Sequence, residues 1–223
     1  SCIMDTVYSK LGNRDRCPLD FRQKRELNLV KNLFHAATMT TGLALDWALR
    51  ILSAKPHVIE VLQHEVDSLV GDDYSIPMAL PSLKNCRGFV LEVLRLYPTA
   101  TAVTKAVACD ISYSGGFIPR GSFLITSIYG IHTNDLYWED PFLFQPERFK
   151  LSSCPNDAYW PFFIGGHACP GRVLALSELI SALVLILRRF KLVSQPSLNL
   201  EGIQLGPLMS AAGMEPILLE LKN

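Results

Sequence analysis

Apolar residues recur at helical spacing from Leu27 to Ser53 and cover much of the girth, the pattern of a long helix buried inside a domain. Pro56 then suits the first turn of a second helix, which is expected to run to Val70 with Val58, Val61, Leu62, Val66 and Leu69 on one face and Gly71 as its stop. A polar connection, DDYSIPMALPS, leads to a third helix from about Leu83 to Tyr97, closed by Pro98. Glu92 and Arg95 lie three residues apart in it and share a face.

Beyond Pro98 the texture changes. The runs VACDISYSG and SFLITSIYG, separated by Gly115, Gly116, Pro119 and Gly121, predict small strands and hairpins. A long irregular stretch from His132 to about Trp160 follows and holds WEDPFLFQPERF. A last, strongly apolar helix is expected from about Gly171 to Arg189. It carries Glu178 and is read as a helix buried in protein, not in a membrane. Turn residues at Gly202, Gly206, Pro207 and Gly213 predict a β hairpin in the tail. The fold class is mainly α with small β sheets, and residues 1–223 are read as part of one domain.

Composition narrows the functions. The chain has 223 residues, 49% of them hydrophobic, with 21 basic and 21 acidic side chains that balance to a formal charge of zero. No basic run is present to neutralise phosphates, so nucleic acid is not an expected partner. The cysteines, Cys2, Cys17, Cys86, Cys109, Cys154 and Cys169, form no CxxC pair and are too dilute for a disulfide scaffold, so they read as reduced thiols. The opening Ser1 and the lack of a basic leader read as a cut inside a longer protein.

The sharpest local signal is WPFFIGGHACPG at 160–171, which sets Cys169 on a glycine and proline turn at the threshold of the last helix. The positive end of a helix and its unpaired N–H groups favour a thiolate, the form that binds metal. Gly165, Gly166 and Gly171 let the backbone pass close to something flat, and Phe162 and Phe163 can shield the sulfur from water. A small buried hydrophobe at a tight turn is the plain alternative for Cys169. A zinc site with Cys154, His167 and Cys169 has the right ligand types but no fourth ligand.

Phe162, Gly165, Cys169 and Gly171 resemble the haem-ligand loop of the cytochrome P-450 (haem-thiolate monooxygenase) superfamily. Three further segments resemble it in the right order: AATMTT at 36–41 is similar to its oxygen-binding helix motif, Glu92 and Arg95 to its ExxR pair, and Pro146 to Phe149, PERF, to its meander. The resemblance covers essentially the whole chain as the C-terminal half of such an enzyme, without the N-terminal half and the membrane anchor typical of eukaryotic members. It implies haem b (iron protoporphyrin IX) with Cys169 as axial thiolate. It implies a buried Glu92, Arg95 and Arg148 network that holds the meander, and Thr40 as the residue that orders water for proton delivery. It gives haem contacts to His167 and Lys105 beside the loop residues. Ala36 and Ala37 suit a close approach of the helix to the ligand, and Thr101, Ala102, Val103, Leu208 and Met209 fall where the family lines its substrate pocket. For Thr40 the plain alternative is a hydroxyl satisfied one turn back, and for the pocket residues it is core packing.

Two positions depart from the family. The acid that usually precedes the threonine is Met39 here, and the arginine that pairs with a haem propionate is His167. Histidine is neither always charged nor able to bind bidentately. The leading expectation is a monooxygenase that takes electrons from NADPH through cytochrome P-450 reductase or another donor. It would insert one oxygen atom into a small lipophilic substrate at the cytosolic face of the endoplasmic reticulum membrane. The alternatives are a haem-thiolate isomerase or dehydratase acting on peroxides, which Met39 favours, and a truncated non-catalytic fragment.

Overall fold

The computed structural model describes residues 21–71, 76–150, 156–195, 198, 200, 202–205, 208–211 and 216–222. The chain divides within the first helix into two units, Ser1–Met39 and Thr40–Asn223. That helix, α1, spans Phe21–Ala54. It begins at Phe21 and not at Leu27, because Arg22 to Glu26 are good helix formers that carry no apolar period to read.

In the first unit, α1 residues 31–39 are exposed, among them Leu33 and Phe34. The expectation of a helix buried around its girth is therefore corrected. Periodicity reports what a helix could cover, and burial here begins only at Ala44.

In the second unit the core is helical. Ala44, Trp47, Ala48, Ile51 and Leu52 of α1 are buried in one cluster with residues of four other helices. Helix α2, Pro56–Leu69, has Pro at its start and contributes Val58, Leu62 and Val66. Val61 and Leu69, expected on the same face, are exposed; Val61 lies at the edge of the buried stripe and Leu69 in the last turn. Glu65 takes a buried place instead. The segment expected to be a polar connection holds a short helix, α3, Ile76–Ala79, whose Ile76 joins the core; Asp72 to Ser75 lie outside the described residues.

Helix α4, Lys84–Leu96, is buried along most of its length and ends two residues before Pro98. Its first N–H groups are satisfied from another element: the Glu65 carboxylate accepts from Asn85 N at 2.7 Å and Cys86 N at 2.8 Å. Burial, with Glu65 beside it, pushes the Cys86 thiol up, so this sulfur stays protonated.

The strands pair as small antiparallel ladders. Strands β1, Ala102–Ala106, and β4, Phe123–Ser127, set Ala102 opposite Ser127 and Lys105 opposite Leu124. Between them β2, Ile111–Tyr113, and β3, Gly116–Ile118, make a hairpin. The expected strand SFLITSIYG stops at Ser127, whose Oγ accepts from Gly130 N and caps a five-residue helix, α5, Ile128–His132.

Helix α6, Arg172–Arg189, buries Leu176, Leu179, Ile180, Leu183, Val184 and Leu187, with Glu178 on its exposed side. The tail forms the expected hairpin from β6, Gly202–Leu205, and β7, Leu208–Ala211, with Gly206, Pro207 and Gly213 outside the described residues. A second ladder, β5, Phe190–Leu192, with β8, Leu219–Leu221, was not visible in the sequence pattern. No helix among the described residues is long and apolar enough to cross a membrane.

Candidate functional site

Glu92 and Arg95 are both fully buried. Their pairing is bidentate, with Arg95 Nε 2.7 Å from Glu92 Oε2 and Nη2 2.8 Å from Oε1. Three further hydrogen bonds use the remaining N–H groups of Arg95. Nη1 donates to the carbonyls of His132 at 2.8 Å and Pro141 at 2.6 Å, and Nη2 donates to Leu143 at 3.2 Å. Gln145 N completes the carboxylate by donating to Glu92 Oε1 at 2.8 Å. The pair is thus no surface ion pair. It is a clamp in a low-dielectric interior on the irregular stretch that the sequence left without structure.

Arg148 joins this clamp from the 3₁₀ turn Pro146–Phe149. Its Nε lies 3.6 Å from Glu92 Oε1, an ion pair longer than a hydrogen bond, and Nη2 donates to the Asp140 carbonyl at 3.0 Å. The turn sits hard against α4, since a Cβ on Gly88 would lie 2.9 Å from the Pro146 carbonyl oxygen. Trp138 faces Arg95 with its ring centroid 5.0 Å from the guanidinium carbon, and its side chain packs with Phe149 and Tyr159. Tyr159 OH donates to the Leu91 carbonyl at 2.7 Å.

His132 is buried at the centre of this arrangement. Its Nδ1 is 3.1 Å from the Arg95 carbonyl, its Nε2 accepts from Trp160 N at 2.8 Å, and its ring stacks on Tyr159. Burial holds the imidazole neutral, lowering its pKa to about 4, and the Arg95 charge pushes the same way.

From Trp160 the chain turns towards Cys169. Phe163 N donates to the Trp160 carbonyl at 3.1 Å, and Cys169 N to the Phe162 carbonyl at 2.8 Å. Phe163, at φ 59, and Gly165, at φ +75, take left-handed backbone conformations, which Gly165 adopts without a Cβ penalty. A Cβ on Gly165 or Gly166 would meet nothing within 4 Å, whereas one on Gly171 would sit 3.8 Å from Cys169 Sγ in ordinary contact. Gly171 is therefore explained by its place at the start of α6 and not by crowding of the sulfur. Phe162 packs against the core, and Cys169 is half-buried. Ile164, Val173 and Leu174, within five residues of Cys169, expose apolar side chains.

This surroundings fits haem. One thiol stands before the positive end of an 18-residue helix. Open glycines and exposed apolar side chains on both sides in the sequence offer what a planar apolar macrocycle with a single axial sulfur needs. Among the described residues no three His, Cys, Asp or Glu side chains converge as a metal-ligand set, and Cys154 lies outside those residues.

The remaining candidates separate. Thr40 is half-buried on α1, two residues beyond Thr38, whose Oγ1 donates to the Phe34 carbonyl at 2.8 Å. Ala36, Ala37 and Met39 are exposed on the same helix in the first unit. Thr101 is buried, Val103 half-buried, and the tail hairpin comes to this segment through the Ala100 to Leu208 bridge and a 3.0 Å bond from Met209 N to the Thr99 carbonyl. Lys105 and His167 are exposed. Gly88, Glu65, His132, Trp138 and Tyr159 were missed by sequence reasoning. A glycine inside a helical period and a glutamate on an apolar stripe were the only available signals.

The family described as Cytochrome P450 matches residues 4–221. Among similar proteins, cytochrome P450 4A14 of Rattus norvegicus is 34% identical over 71% of this chain and 32% of its own length. The (+)-piperitol/(+)-sesamin synthase CYP81Q2 of Sesamum radiatum is 32% identical over 66% of this chain and 29% of its own. The solved structure of a zebra fish cytochrome P450 with progesterone superposes with a TM-score of 0.77 at 29% identity, over 86% of this chain and 44% of that one. The chain thus spans well under two thirds of each of these relatives. With the clamp, the meander and the cysteine turn in the family's order, the chain belongs to the cytochrome P450 family.

Proposed function

We propose that this chain is the haem-binding part of a haem-thiolate monooxygenase, with Cys169 as the axial thiolate. The observation that carries the proposal is the buried Glu92 and Arg95 clamp on the segment leading to the Cys169 turn at the start of α6. Haem bound there supplies the activation of dioxygen from which one oxygen atom enters the substrate.

The chain's own residues would hold and shape that site. Cys169 donates the sulfur, with its backbone N–H tied to Phe162 and so fixed in position. Phe162, packed against the core, would shield the sulfur, and Gly165 and Gly166, where an added Cβ meets nothing, would allow close approach. His167 and Lys105 would face the propionates, where histidine in place of the family's arginine offers a weaker pairing. Glu92, Arg95 and Arg148 position the loop without touching the reacting atoms. Thr40 would order water and pass a proton along α1, with Ala36 and Ala37 leaving room beside it. Thr101, Val103, Leu208 and Met209 would line the substrate side.

Those pocket residues are small or apolar, which suits a small lipophilic substrate, as do a relative solved with progesterone and another named for sesamin synthesis. Electrons would come from NADPH through a reductase, and the site of action would be the endoplasmic reticulum membrane. The test is a carbon-monoxide difference spectrum of the dithionite-reduced, haem-loaded chain beside Cys169→Ala. A red-shifted Soret band lost in the variant is expected, and an unchanged band in the variant would overturn the assignment.

Met39 favours a second reading, a haem-thiolate isomerase or dehydratase for peroxides, because its thioether cannot relay the protons that oxygen activation needs. Turnover of an organic hydroperoxide without NADPH or reductase would select it.

A further inference from the structure

The clamp described above reaches as far as Arg148, and the cysteine loop begins at Trp160. Between them the irregular stretch must be brought back to α4 a second time. Among the described residues Tyr159 does this through the Leu91 carbonyl, and His132 does it by joining Trp160 to Arg95. Trp160 N–H can donate only to a lone pair, so His132 Nε2 is unprotonated, and the single ring proton sits on Nδ1, where it meets the Arg95 carbonyl at 3.1 Å. One neutral tautomer satisfies both bonds, and neither bond survives the other tautomer.

We infer that His132 is the positioning residue of the cysteine loop, its imidazole joining the carbonyl of Arg95 to the amide of Trp160 and so fixing where the segment that ends at Cys169 starts. Two short backbone bonds carry that position onward, from Phe163 to Trp160 and from Cys169 to Phe162. The ring cannot swing away, since Tyr159 stacks on it and is itself held by the Leu91 carbonyl. The groups that face His132 are the Arg95 guanidinium, which donates to the His132 carbonyl, Glu92 paired to that guanidinium, and the phenol of Tyr159. A second proton on the ring would turn Nε2 into a donor opposed to the Trp160 N–H, beside a cation already in place.

The inference rests on the haem-thiolate reading only for its spectroscopic consequence, and its structural content can be read in the cofactor-free chain. In the 223-residue wild-type chain, ¹⁵N NMR should show Nδ1 protonated and a scalar coupling from the Trp160 amide to His132 Nε2. The opposite tautomer would overturn the inference. His132→Phe keeps the ring stack and removes both bonds, while His132→Gln keeps one donor and one acceptor. Hydrogen exchange at the Trp160 and Cys169 amides should quicken by about tenfold or more in the phenylalanine variant and recover in part with glutamine, with the Met209 amide unmoved. Equal exchange in all three chains overturns it. After haem loading, His132→Phe should lose part of the red-shifted carbon-monoxide band. If exchange responds but Cys169→Ala keeps that band, the cofactor reading fails and the positioning role stands. If Cys169→Ala loses the band and exchange does not respond, the reverse holds. Should His132→Phe fail to fold, the wild-type tautomer and coupling decide the matter.

Discussion

Every N–H of Arg95 has an acceptor, and every acceptor lies at the end of α4 or in the stretch behind it. Removing one partner leaves the other charge buried, so Glu92→Ala should lower stability by ~3–5 kcal/mol and release haem before any single reaction step is impaired. Arg95→Lys should do nearly as much harm, because three donors on one nitrogen cannot serve a planar set of five. Chemical denaturation of the cofactor-free chain and haem retention on gel filtration measure both. His132 adds a pH dependence. Its pKa falls from 6.5 to about 4 on folding, so between those values the unfolded chain binds the extra proton. Its contribution is present above pH 6.5 and is lost as pH falls towards 4, up to about 3 kcal/mol. The acid limb of a stability against pH curve should flatten in His132→Gln.

Among the elements, α4 is the organising one, and its glycine is as informative as its charges. Alanine is ordinarily the better helix residue by about 1 kcal/mol. At position 88, however, the added methyl would meet the Pro146 carbonyl oxygen at 2.9 Å, and backbone cannot swing aside as a side chain can. Gly88→Ala should therefore lower the melting temperature and loosen the 3₁₀ turn Pro146–Phe149, observable as faster exchange of the Arg148 and Lys150 amides. The helices α2, α4 and α6, the small strands and the tail hairpin were legible because their apolar periods and turn residues are local. Glu92 and Arg95 were legible by motif. The roles of Glu65, Gly88 and His132 were not, since each is defined by a partner from another segment, the α4 amides, the Pro146 carbonyl and the Trp160 amide. The early start and exposed first half of α1 escaped for another reason: polar helix formers leave no period, and apolar ones do not say what they meet.

For the molecule as a whole, that first half adds a run of apolar side chains turned outward on one helix. Leu29, Leu33 and Phe34 are all more than half exposed. Exposed clusters of this kind promote association. Phe34→Ser should reduce dye binding and light scattering of the purified chain while leaving the carbon-monoxide spectrum unchanged. The second unit has a helical core of its own, in which Trp47 and Leu52 of α1 are buried with residues of α2, α4 and α6.

The bonds of Arg95 also order events in time. Beside Glu92, the guanidinium takes three carbonyl acceptors from residues 37 to 48 positions later in the chain. During synthesis Arg95 is added before any of these three carbonyls exists, and its set of acceptors is complete only once Leu143 has followed. Closing a loop of this length adds little entropy beyond a shorter one, so a single capture at Arg95 gathers three carbonyls almost together. The cysteine turn, which emerges later still, then closes onto a frame already built.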